Sequence, residues 1–194
     1  MLFLVSLRLQ WVPMMNEDQT HIWHDLSTRL LNNPDINKFR RESKHWSGTT
    51  GFSLSNSIAH YSLAADRYYT TNGAYLFLSD NKLIDESGYV LRGCKNKTKS
   101  AISWEHAVPS CVIRDYFFDN IESISKDDIK NVLEITDYVV AVCKEDNDIL
   151  TKNGYRSSMP KNWKLFEDSW SGRYKESKIE ILDFTIPMRG VVSR

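Results

Sequence analysis

Glu105 and His106 stand side by side in the stretch SWEHAVPS, residues 103–110. Ala101, Ile102 and Trp104 precede the pair, and Ala107, Val108 and Pro109 follow it. Histidine has an ordinary pKa of about 6.5, so it serves as a neutral base near pH 7 without special tuning. A carboxylate is an oxygen donor of the kind that Mg²⁺ and Mn²⁺ accept. The plainer reading is a strand end with a satisfied histidine and a surface glutamate. A second candidate lies at Glu145, Asp146 and Asn147, directly after the apolar run DYVVAVCK, residues 137–144. An acidic helix start behind a buried strand suits a metal site. It is also ordinary acid at the positive end of a helix dipole.

Other residues carry weaker signals. Arg92, Lys95, Lys97 and Lys99 form a basic run that could grip phosphates just before the Glu–His strand. A solvated hairpin tip has the same charge pattern. Arg156 and Arg173 could clamp a phosphate, arginine being suited to bidentate contact; Arg173 could equally make a packing salt bridge. His21 and His24 could share a helix face as a metal pair, but with no third ligand they read as surface. His45 and His60 show no partner pattern. Six tryptophans and nine tyrosines offer base stacking, though most are expected in the core.

The elements that must position these groups change in type along the chain. Residues 16–32 read as a helix with Ile22, Trp23, Leu26, Leu30 and Leu31 on one face and acids in its first turn. Asn32-Asn33-Pro34 ends it. HWSGTTGF is loop-like. A second helix is expected from about Ser53 to Tyr69, stopped by Thr71-Asn72-Gly73. Ala74–Leu78 and Tyr89–Arg92 read as strands around a turn region, and Ile102–His106 as a short strand. Val112–Phe118 is an apolar helix or strand. Ser125 is a good N-cap for a helix from Lys126 to Ile135. The run 137–144 is the clearest buried strand, followed by a short helix closed by Asn153-Gly154. The tail holds a short helix at Arg173–Tyr174 and a strand from Ile179 to Phe184. Helices before strands indicate an α+β fold, divided into a mainly helical region, 1–73, and a region, 74–194, that carries the chemistry.

Composition narrows the partners. Of the 194 residues 41% are hydrophobic, enough for a core. Acids and bases balance at 25 each, so no global field draws the chain to nucleic acid, and any such binding must be local. Cys94, Cys111 and Cys143 stand far apart without a C-x-x-C pair, which suits reduced thiols in a cytoplasmic protein. The opening MLFLVSLRLQWVPMM has too short an apolar run, broken by Arg8, for a signal peptide. It reads as an edge strand, or as sequence upstream of a true start at Met14 or Met15. No 18-residue apolar run exists, so no membrane partner is expected.

The stretch WEHAVP resembles the first motif of the HNH endonuclease superfamily, whose metal site is built on a strand–strand–helix unit. YVVAVCKEDNDILTKNGYRSSMP, residues 138–160, resembles the strand-into-helix half of divergent members, and SGRYKESKIEI resembles their tail. The resemblance covers roughly residues 88–182. It implies an HNH-like ββα-metal core cleaving DNA with Mg²⁺ or Mn²⁺. It makes His106 the general base and Glu105 a metal ligand. Asp146 is then the second ligand, with Glu145 and Asn147 as neighbours that could serve. Asp137 takes the place of the family's middle Asn and orients His106 through its ring N–H. Arg156, which could clamp a phosphate, is counted with His106 and Asp137 as catalytic, and the basic run with Arg173 is expected to contact the DNA. The middle Asn and last His of the family name are absent, which makes zinc a poor fit. A helix-bearing insertion must separate His106 from Asp137. The expected function is thus a restriction-type, phage-borne or mobile-element endonuclease, with a homodimer among its expected forms. The alternatives are an inactive relative binding nucleic acid or protein in phage–host conflict, and a hydrolase or toxin of another class.

Overall fold

The structure, a computed structural model, describes residues 15–32, 49–65, 67–90 and 101–187. In chain order these form α1 (Glu17–Leu31), α2 (Thr49–Leu63), β1 (Arg67–Thr70), α3 (Asn72–Asp80), β2 (Ile102–His106), α4 (Ser110–Asp119), α5 (Lys126–Ile135), β3 (Val139–Cys143), α6 (Lys144–Lys152), α7 (Gly172–Glu176) and β4 (Ile186–Pro187). The fold is mixed α+β, as the sequence suggests.

The sheet is organised by β3. All five of its residues are buried, as an apolar run covered on both faces requires. It pairs antiparallel with β2, from Ile102 opposite Cys143 to His106 opposite Val139. On its other side it pairs parallel with β1, Tyr69 opposite Val140. Short β4 closes the order β2-β3-β1-β4 by pairing antiparallel with β1.

Two apolar clusters cover this sheet, and a third joins the helices. On one face α3 packs Ala74 and Leu78 into a cluster with Ile102, Ala141 and Cys143. On the opposite face α6 places Leu150 with Ala107, Val140, Val142 and Tyr174. The largest cluster joins α1, α2, α4 and α5 through Leu26, Leu30, Ile58, Tyr61, Phe117, Ile129 and Leu133. Burying a side chain such as Phe117, fully covered here, is worth about 1.5–3 kcal/mol.

Local signals explain several ends. Asn16 and Gln19 form a capping box on α1, and Ser125 and Asp128 form another on α5. Gly154, at φ 80°, closes the chain behind α6.

Four expectations need correction. The second helix covers Thr49–Leu63, so TTGF is helical, and Tyr68 and Tyr69 belong to β1, where pairing with β3 takes over. Ala74–Leu78 is helix, because the Thr71 side chain accepts from the Ala74 N–H and caps α3. Thr71-Asn72-Gly73 therefore starts a helix and does not stop one. Of the expected strand Tyr89–Arg92, Leu91 and Arg92 lie outside the described residues, and Val90 makes an isolated bridge to Ile84. In the tail Ile181 makes an isolated bridge to Thr71, and the strand comes later, as β4. Among the described residues no helix is long and apolar enough to cross a membrane. β1, which precedes the expected boundary at residue 73, lies between β3 and β4, which follow it.

Candidate functional site

Glu105 and His106 end β2, and strand geometry decides what they can share. Successive side chains on a strand point to opposite faces. Glu105 stands opposite Val140, on the face covered by α6 and Tyr174. His106 stands opposite Val139, on the other face. The two are adjacent in sequence but separated by the sheet.

On the His106 side the ladder runs one step further, since the Ala107 N–H donates to the Tyr138 carbonyl over 2.8 Å. Asp137 itself lies before β3 at the centre of a tight turn, in which the Tyr138 N–H donates to the Thr136 carbonyl over 2.8 Å, so strand alternation does not extend to it. The expected insertion between the two residues is α4 and α5. Gln19 of α1 reaches over the carboxyl: its Nε2 donates to Asp137 Oδ2 at 2.6 Å and to the Tyr61 carbonyl at 3.4 Å. His106 Nδ1 and Asp137 Oδ1 are both buried without a hydrogen-bond partner. Buried polar atoms without partners are uncommon and costly. Burial, then the charges of Arg173 and His60, push the His106 ring down to about 4. Burial pushes Asp137 up to about 7, and nearby Glu134 adds to this, while the Gln19 hydrogen bond opposes it. The imidazole is thus neutral at physiological pH, and the carboxyl holds its proton about half the time at pH 7. The Tyr61 hydroxyl is raised by burial and then by Asp137 and Glu134.

On the Glu105 side the organising group is Arg173, which is 1% exposed. Its Nη1 donates to the Tyr155 carbonyl at 2.9 Å and the Arg156 carbonyl at 3.4 Å. Its Nη2 donates to the His106 carbonyl at 2.5 Å and the Tyr174 hydroxyl at 3.0 Å. Glu105 Oε2 lies 3.8 Å from Nη2, close enough for charge attraction but too far for a hydrogen bond. Arg173 is therefore an internal group, and its expected contact with DNA is corrected. Arg156 is exposed at the protein surface. Nearby Tyr138 stacks on Trp170 at 4.6 Å, and Tyr69 meets both rings.

Asp146 belongs to a third place. Glu105 is level with Val140, whereas Asp146 follows Cys143, three residues further along β3; that is roughly 10 Å of strand before the helix begins. Glu145 and Asp146 line a cavity of about 470 Å³ with Gly73, Phe77, Ala101, Cys143 and Lys144. Asn147 is partly buried in α6, one turn before Leu150. A shared ion on Glu105, Asp146 and Asn147 does not fit this geometry. Among the described residues, no three His, Cys, Asp or Glu side chains converge as metal ligands.

The remaining expected groups are quickly placed. His21 and His24 are exposed on α1, where Lys126 Nζ donates to His24 Nδ1 at 2.9 Å. Arg92, Lys95, Lys97 and Lys99, together with His45 and Cys94, lie outside the described residues. Gln19 and Tyr61 were not singled out from sequence. Both come from the N-terminal helices, far from Asp137 in the chain, and no local spacing points to them.

No family model matches the chain, and neither do any of the curated proteins or solved structures compared with it.

Proposed function

We propose that the chain is a phosphodiester hydrolase acting on DNA, with a divergent HNH-like core formed by β2, β3 and α6. The observation that carries this is the strand–strand–helix arrangement: antiparallel β2 and β3 are followed directly by α6, which lays Leu150 back against their shared cluster. His106 ends the first strand of that unit, and Asp137 precedes the second.

His106 takes the proton from the attacking water; the expected hydrogen bond from its ring to Asp137 is not made, since His106 Nδ1 and Asp137 Oδ1 are both without a partner. A ring titrating at about 4 is neutral but a weak base. A phosphate beside it would raise its pKa, since an opposite charge favours the imidazolium. Arg156, exposed at the surface, carries a planar, permanently charged fork suited to a phosphate. Mg²⁺ or Mn²⁺ is implied by the family resemblance alone; among the described residues no three His, Cys, Asp or Glu side chains converge to hold it.

The test is digestion of supercoiled and linear DNA with the wild-type protein and His106→Ala, in Mg²⁺, Mn²⁺ and EDTA. Cleavage by the wild type and its loss in the variant are expected. Equal cleavage by both removes His106 from the mechanism.

A second reading, an inactive relative that binds nucleic acid or a protein partner, is favoured by one observation. Glu105 and His106 lie on opposite faces of the sheet, so one phosphate does not meet both. DNA binding without cleavage under any metal would select it.

A further inference from the structure

Arg173 touches more of the site than any residue nominated for chemistry. We propose that Arg173 is its positioning residue: one buried guanidinium fixes the His106 carbonyl, the loop carrying Arg156 and the carboxylate of Glu105 relative to one another. The proposal rests on the hydrolase reading for what the positioned groups do, and on the contacts alone for how they are held.

The geometry makes the case. All four Nη hydrogens have a use: two go to the Tyr155 and Arg156 carbonyls, and two go to the His106 carbonyl and the Tyr174 hydroxyl. These acceptors come from three separate pieces of chain: the end of β2, the segment after α6, and α7 itself. β2 stops at His106, and the chain then turns through Pro109 into α4. Beyond Gly154 the chain has little regular structure until α7. The guanidinium ties these two irregular segments together. Tyr174 closes the arrangement from below, with its ring 5.0 Å from the Arg173 Cζ. Lysine cannot substitute: its donors radiate from a single nitrogen and cannot span carbonyls on two sides of a planar fork. A buried charge is held only where it is bonded, and here most of its partners are backbone carbonyls, which fixes main chain and not merely a neighbouring side chain.

Two measurements test this, and only one depends on cleavage. The first is NMR of the wild-type protein, through couplings across hydrogen bonds from Arg173 Nη to the carbonyl carbons of His106 and Tyr155. Observing both is expected; finding neither overturns the proposal, and no variant has to fold. In Arg173→Lys the carbonyl carbons of His106, Tyr155 and Arg156 should move upfield together, along with the Glu105 carboxyl carbon. Changes confined to residues 172–175 would overturn it. The second is DNA cleavage by Arg173→Lys and Arg173→Met, where kcat should fall by about 10²-fold, the usual cost of misplacing groups by about 1 Å. KM should rise as well, because the loop that carries Arg156 loses the hydrogen bonds that hold its Tyr155 and Arg156 carbonyls. Wild-type kinetics in either variant overturn the positioning role. If the wild type itself does not cleave, the hydrolase reading falls, and the couplings and carbon shifts then decide for or against Arg173.

Discussion

Replacing Asp137 by Asn probes the buried polar centre beneath α1 and α2 through stability. Burial is the main reason that its carboxyl stands at about 7 against an ordinary 3.8. Folding therefore favours the protonated form. Between these values the folded chain keeps a proton that the unfolded chain has released. The contribution of this group is full below about pH 4 and is lost as pH rises through 7. At about 1.4 kcal/mol per unit, the shift of about three units amounts to at most about 4 kcal/mol lost by about pH 8. The His106 ring works in the opposite sense. Lowered from 6.5 to about 4, it contributes stability that is present above its ordinary pKa and is lost as pH falls through 4. In the wild type the two trends offset each other over part of this range. Asp137→Asn keeps an oxygen to accept from Gln19 Nε2 and carries no charge at any pH. The difference between variant and wild type isolates the carboxyl, since His106 is common to both. Urea unfolding followed by tryptophan fluorescence measures it. Near pH 4 the proteins should differ little. Near pH 8 the variant should be more stable by up to about 4 kcal/mol, a midpoint shift of about 2 M for a slope of about 2 kcal/mol/M. A difference that stays constant across that range would refute the account of a carboxyl kept protonated by burial.

Three further outcomes are expected. His106→Ala should lower DNA cleavage by about 10²–10⁴-fold, the usual worth of a general base, as measured on supercoiled plasmid, while binding measured by fluorescence anisotropy stays nearly unchanged. Gly73→Ala should destabilise the fold by about 1–3 kcal/mol, because its new Cβ would lie 2.9 Å from Cys143 Sγ; a thermal melt measures this, and Cys143→Ala in the same chain should recover part of the loss. Ser125→Ala should cost about 1 kcal/mol by removing the capping box of α5, again read from the melting temperature.

Elements with local signals were legible in the sequence. Ser125 marks the start of α5, the run of apolar residues gives β3, and Asn153-Gly154 closes α6. Ala74–Leu78 was not legible as helix. Five apolar residues in a row carry no period, so helix and strand look alike; what settles it is a threonine hydroxyl three residues earlier and packing against β3. Tyr68 and Tyr69 were lost to the preceding helix because β1 is defined by a partner far along the chain. The site shows the same division. Placing Glu105 and His106 in a strand already implies opposite faces, yet sequence adjacency made them look like one centre. Arg173 was visible as a candidate cation, but nothing nearby in sequence shows that its acceptors are carbonyls from residues 106, 155 and 156.

The position of β1 has a consequence for how the chain comes to be folded at all. Both neighbours of this strand, β3 and β4, are made after it. During synthesis β1 therefore leaves the ribosome with neither edge satisfied and must wait for residues 139–143 before its first ladder forms. Pairing over such a separation is slow, because loop closure comes before any gain. An unpaired strand ending in two tyrosines and a threonine is also a template for association with other chains. Removing β4 would leave that edge open in the finished protein as well. The last strand among the described residues, only two residues long, acts as a guard against self-association out of proportion to its size.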